Sequence, residues 1–296
     1  MFNFFYLFYV LMIFTSLIYK TFFMMWFFME FSTMMFFFFL NKFNVSINSN
    51  IVYFLMQELS SLFMLLSFVM DLNFLTILFV VLKLGGVPFH NWMLKITYNF
   101  SWDTLFIILN LQKVIPLIFL YMFMTNKFLF LILLNVFVSM FCMLNVFSNK
   151  YLLTVFSLMS LTWFYLIICC SKYLLYLYMC IYMFLNYFFL LYFKLNNDLN
   201  MFMFLTFDTF FFILIFNMIS FPPSMMFFLK VKLFNCFMFL FNNFFILIFV
   251  MMMMILFSII FFILFLNHFL IISWKKVEMN FLFNFFLLLN LFFFFI

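Results

Sequence analysis

Apolar runs of about twenty residues follow one another along almost the whole chain, separated by single lysines, asparagines or short polar loops. A helix needs about 20 apolar residues to cross the hydrocarbon core of a bilayer. The runs cover 2–19, 21–40, 51–70, 74–94, 104–124, 128–147, 151–171 and 173–193, followed by a long stretch 201–272 and a last run 279–296. Their continuity excludes a β-barrel, whose strands alternate. Two adjacent prolines, Pro222 and Pro223, interrupt the long stretch. Proline removes a backbone donor and clashes with the preceding turn. The stretch therefore reads as one interrupted helix over about 203–241 and one plain helix over about 243–270. The expectation is an all-α polytopic membrane protein with about 11 transmembrane helices in a single transmembrane domain, 1–296. The first run is as long as its neighbours, so no separate cleaved leader is expected.

Composition agrees. Of 296 residues 72% are hydrophobic and 7% charged, against about 25% charged in ordinary soluble domains. Too few polar groups exist to cover a soluble globule, which excludes a soluble enzyme and a disordered chain. The net charge of +6 comes from scattered lysines, with Lys275–Lys276 the only adjacent pair. That is too little for a nucleic-acid surface. The five cysteines (Cys142, Cys169, Cys170, Cys180 and Cys236) lie in apolar stretches and fit neither a metal site nor a disulfide framework. Arg and Ala are absent, Gly occurs twice, and Phe occurs 66 times. Residues with A/T-rich codons dominate, as in an A/T-biased genome such as a mitochondrial one. Against that drift, each surviving Gly, Pro or charge gains weight.

Both glycines lie in Gly85-Gly86-Val87-Pro88, inside the run 74–94. Helices interrupted by Gly or Pro in separate halves of a membrane protein point to an ion-transporter architecture with inverted repeats. Broken backbone is tolerated at membrane depth only within protein or beside a water-filled cavity. The alternative is a pair of isolated kinks with packing roles.

The charges fall beside these breaks. Glu30 lies in the middle of 21–40, Lys83 five residues before Pro88, Lys113 three before Pro116, and Lys230 seven after Pro223. Each costs about 2.5–3.5 kcal/mol at a helix centre on insertion scales, and such residues usually mark an ion or proton path. Burial disfavours the charged form and a nearby opposite charge restores it. Moving the partner charge can thus load or unload a proton on a buried lysine. Snorkelling at helix ends accounts for Lys20, Lys42, Lys95, Lys127, Lys150, Lys172 and Lys194, but fits the mid-span Lys83 and Lys113 poorly. Glu58, two turns into its run, reads equally as functional or incidental. His90 reads as packing, as a partner for freed backbone, or as a relay. Asp208 and His268 read as interfacial, Trp92 and Trp274 as interface anchors.

At Leu82-Lys83-Leu84-Gly85-Gly86-Val87-Pro88-Phe89-His90-Asn91-Trp92 the chain resembles the "LK-G-APFHFW" segment of the mitochondrial NADH dehydrogenase subunit 2 family, antiporter-like subunits of respiratory complex I. Trp102 and Gln112-Lys113-Val114-Ile115-Pro116 are similar to the family's "W…WQK-AP", and Tyr53-Phe54-Leu55 with Gln57 to its "KYFL-Q". Asn145, Ser148, Ser157 and Trp163 match further on, and Phe221-Pro222-Pro223 followed by Lys230 resembles "LPPFLGFLPK". There are departures: the family's "GG" before the proline pair is Ile219-Ser220 here, its later Gly and Pro are Met226 and Leu229, and its His before Trp163 is Ser160.

The resemblance implies a proton-translocating membrane-arm subunit in the mitochondrial inner membrane, the product of a mitochondrial gene. Glu30 and Lys83 would be a coupled ion pair, Lys113 the central lysine and Lys230 the exit-side one. Gly85, Gly86, Pro88, Pro116, Pro222 and Pro223 would shape the breaks, with Glu58 and His90 as lesser candidates. The chain itself would bind no cofactor and no metal; NADH, FMN, iron–sulfur clusters and ubiquinone would belong elsewhere in the complex. Its partners would be other membrane-arm subunits, neighbouring antiporter-like subunits among them, and membrane lipids, with no nucleic acid. Competing readings are a structural subunit without pumping and a free-standing cation/proton antiporter.

Overall fold

The computed structural model describes residues 2–19, 21–42, 45–123, 129–144, 148–195, 209–220 and 224–240, and the regular structure there is helical throughout. The helices are α1 (Phe2–Ile18), α2 (Phe22–Lys42), α3 (Ile47–Val69), α4 (Asn73–Leu84), α5 (Asn91–Asn99), α6 (Trp102–Phe106), α7 (Gln112–Phe123), α8 (Leu129–Leu144), α9 (Asn149–Ile168), α10 (Lys172–Leu195), α11 (Thr209–Ile219) and α12 (Met225–Leu240). A π-helical turn, Ile107–Leu111, joins α6 to α7. Among the described residues, five helical stretches are long and apolar enough to cross a membrane: Phe22–Lys42, Ile47–Val69, Trp102–Phe123, Asn149–Ile168 and Lys172–Lys194. This is a helical membrane protein. The runs 243–270 and 279–296, with His268 and Trp274, lie outside the described residues, as do Lys20, Lys127, Asp208, Pro222 and Pro223.

The chain divides into two compact units, one of Met1–Val138 with Leu153–Cys169 and one of Ser139–Leu152 with Cys170–Ile296. In the first, α3 packs on α2, α4 and α5, while α7 packs on α1, α2 and α4. In the second, α10, α11 and α12 pack on one another.

The polarity of α3 is inside out. Ser49, Asn50, Tyr53, Gln57, Ser60, Ser61, Met64 and Ser67 are buried at three- and four-residue spacing, the period of one helix face. Ile51, Val52, Leu55, Leu59, Leu62, Phe63 and Leu66 face outward. Where the surroundings are as apolar as Leu, small and polar residues gain most by facing other helices. Many helix hydroxyls satisfy themselves locally. Ser32, Ser60, Ser67, Ser157 and Thr162 each donate to the carbonyl three residues earlier, at 2.6–2.9 Å.

The run 74–94 is broken. α4 ends in a Schellman motif: Gly85 N–H donates to Leu82 C=O at 3.0 Å and Gly86 N–H to Val81 C=O at 2.9 Å. Gly85 takes φ +67°, a left-handed conformation that glycine adopts without a Cβ penalty. A Cβ on Gly86 would lie 2.7 Å from Tyr165 Oη and 2.9 Å from Val81 Cγ1. Val87, Pro88 and Phe89 then cross to α5.

The second break also begins with a left-handed residue. α11 stops at Ile219, Ser220 takes φ +65°, and Ser220 N–H donates to Asn217 C=O at 3.2 Å. α12 restarts at Met225, whose N–H donates to Asn217 Oδ1 at 3.3 Å. Serine here stands where the resemblance places glycine, and it still takes the glycine conformation.

Candidate functional site

The site starts from an ammonium that α4 carries inward. Lys83 lies one residue inside the end of α4, on the buried face with Thr76, Ile77, Val80 and Val81. Its Nζ donates to Glu30 Oε1 of α2 at 2.7 Å, with the side chains 1% and 15% exposed. Opposite charges in such a site are tolerated because each compensates the other. Thr33 hydroxyl donates to Glu30 C=O at 2.7 Å and reaches Glu58 Oε1 of α3 at 3.5 Å. A second, half-buried carboxyl thus stands beside the pair.

Breaking the helix frees buried backbone groups, and they are served. A continuous helix would pair Val87 N–H with Lys83 C=O. Here Gln57 Nε2 donates to Lys83 C=O at 3.1 Å and Val87 N–H donates to Asn135 Oδ1 at 3.3 Å. Trp92 Nε1 donates to Leu82 C=O at 3.2 Å. Trp92 is 5% exposed, so it closes the break from within and is not the interface anchor its position in the sequence suggests. His90 sits just before α5, with Nδ1 buried and unpartnered among the described residues.

Lys113 is the second residue of α7 and is fully enclosed. Its Nζ donates to Ser157 C=O of α9 at 3.3 Å, and it makes no ion pair among the described residues. Ser160, the residue standing for the family's His, donates to the same carbonyl at 2.8 Å. Just before Lys113 the helix widens into its π turn, and Gln112 N–H donates five residues back, to Ile107 C=O. Pro116, without an N–H, follows within α7. The π turn leaves Gln112 facing a buried polar chain. Tyr53 Oη donates to Gln112 Oε1 at 2.8 Å, Gln112 Nε2 donates to Tyr9 Oη at 3.2 Å, and Tyr9 Oη donates to Ser32 C=O at 2.7 Å. π turns recur at functional sites.

In the second unit, Lys230 of α12 is half-buried and donates to Ser220 Oγ at the break. Of the four relay candidates, the structure brings Glu30 and Lys83 into contact and puts Lys113 on α7, which packs against α4. Among the residues expected at helix ends, Lys42, Lys95 and Lys194 are exposed, and Lys150 and Lys172 are half-buried.

Gln57 entered the sequence reading only through the resemblance, and Asn135 did not enter it. The available signal for Asn135 was an amide in the middle of the apolar run 128–147. Buried amides of this kind serve backbone that has lost its helical partner.

No family model matches the chain. Over 82 residues it is 34% identical to a protein of Artemia franciscana named NADH-ubiquinone oxidoreductase chain 2, covering 27% of this chain and 28% of that protein. Over 105 residues it is 30% identical to a protein of Artemia salina with the same name, covering 35% of this chain and 76% of that one.

Proposed function

Because the chain belongs to the NADH-ubiquinone oxidoreductase chain 2 family, we propose that it is a membrane-arm subunit of a NADH:ubiquinone oxidoreductase and carries protons through Glu30, Lys83, Lys113 and Lys230. The observation that carries this reading is the enclosed Lys83–Glu30 pair, 2.7 Å long, at the end of a broken helix. A pair of this kind has two states. Together, both groups stay charged. Apart, the lysine is driven to release its proton, and Lys113 on the neighbouring helix is a next site. Electron transfer takes place elsewhere in the assembly, whose flavin, iron–sulfur and quinone groups lie outside this chain.

The finer architecture belongs to the same proposal: about 11 spans arranged as inverted repeats, in the mitochondrial inner membrane, against other antiporter-like subunits. Support comes from the common form of the two breaks, each with a left-handed residue at φ +65–67° and an asparagine accepting a freed N–H.

The test is Lys83→Met and Lys113→Met in the intact complex, with protons translocated per NADH oxidised as the readout. Each substitution is expected to lower the yield. An unchanged yield in both removes the relay and leaves a structural subunit. A chain that is active as an antiporter apart from any NADH-oxidising assembly overturns the assignment to the complex.

A further inference from the structure

The rung severed between Lys83 and Val87 is occupied by two side-chain amides, and one of them reaches further. Asn135 of α8 is 0% exposed. Its Oδ1 accepts from Val87 N–H at 3.3 Å and its Nδ2 donates to Leu158 C=O of α9 at 3.0 Å. The adjacent α9 carbonyl, Ser157, is the one that accepts from Lys113 Nζ at 3.3 Å. A single amide therefore joins the backbone four residues after Lys83 to the turn of α9 that holds Lys113.

We propose that Asn135 is a positioning residue that couples the break after Lys83 to the acceptor of Lys113. A displacement at Val87 is transmitted through the amide to Leu158, and the stiff α9 backbone carries it one residue on to Ser157. The function needs a donor and an acceptor on one rigid group, which a side-chain amide supplies. A hydroxyl on α8 is too short to span both bonds and, like the serines elsewhere in these helices, turns back onto its own helix. An apolar side chain leaves the Val87 N–H buried without a partner. The inference rests on the reading of Lys83 and Lys113 as proton carriers.

The experiment uses the assembled complex in coupled membranes and reads protons translocated per NADH, with uncoupled NADH oxidation as the control for assembly. Asn135→Leu and Asn135→Ser are expected to lower the yield to an extent comparable with Lys113→Met. Asn135→Gln, which keeps both hydrogen-bonding groups, is expected to recover part of it. Combining Asn135→Ser with Lys113→Met is expected to lower the yield no further than the single changes, because residues acting through one element are non-additive. If Asn135→Leu fails to assemble, the Ser and Gln variants decide. Lowered yield in Lys113→Met but normal yield in Asn135→Ser overturns the coupling and leaves the relay standing. An additive double variant also overturns it. Normal yield in Lys113→Met overturns the relay reading itself, and the coupling falls with it.

Discussion

An ammonium group 1% exposed is sustainable at Lys83 because one carboxylate lies 2.7 Å away. Removing a single member of a buried pair leaves a charge without compensation, at a cost of about 3 kcal/mol or more. Glu30→Gln leaves Lys83 with only the half-buried Glu58 carboxyl nearby, and is therefore expected to destabilise the chain by up to about 3 kcal/mol, read as a lowered unfolding midpoint of the purified assembly. Adding Lys83→Met should return most of the loss; a double variant no more stable than Glu30→Gln alone would show that the pair does not set stability. At this scale the sequence is legible where a charge stands out against filler. Lys83 and Lys113 are visible because apolar residues surround them on both sides. Gln57 and Asn135 are not, since the demand they meet arises only when α4 stops and frees the 83–87 rung. Trp92 misleads for the same reason, because aromatic residues near span ends also serve as interface anchors.

The interruption after α4 follows from glycine placement. Gly85 supplies the left-handed turn, and Gly86 lets Tyr165 of α9 come close. Gly86→Ala would force a methyl group to within 2.7 Å of Tyr165 Oη and 2.9 Å of Val81 Cγ1. Overpacking of this kind costs about 1–3 kcal/mol, measurable as a shift in the same unfolding midpoint. Tyr165→Phe removes the hydroxyl that makes the nearer contact, so the double variant should recover part of the loss; no recovery would place the strain at Val81. The break in 74–94 is readable because Gly-Gly-Val-Pro has no helical alternative. The π turn at Ile107–Leu111 is not readable. One extra residue per turn shifts the phase of a helix, and in a stretch where nearly every residue is apolar a phase shift leaves no mark.

On the scale of the molecule the apolar exterior dictates the environment. Leu7, Phe14, Ile18, Phe23, Phe38, Phe63 and Phe130 are each at least 46% exposed, a surface stable only against lipid or other apolar chains. Solubilised in mild detergent and separated by native electrophoresis, the chain is expected to migrate in a band that stains for NADH oxidation. Migration alone would contradict membership of a complex. All-helical architecture is legible at this scale from run length, since lipid leaves the backbone few other ways to satisfy itself. Which face of each helix turns inward is far less legible. Phe serves equally well inside and outside, so only helices with a polar stripe, as in α3, declare their orientation.

Ser220 carries a wider consequence. It holds φ +65° without being glycine, so the turn is kept by its surroundings and not by the residue type that adopts it most readily. A turn of that kind is a loaded position, where the contacts around it carry a backbone preference that serine lacks.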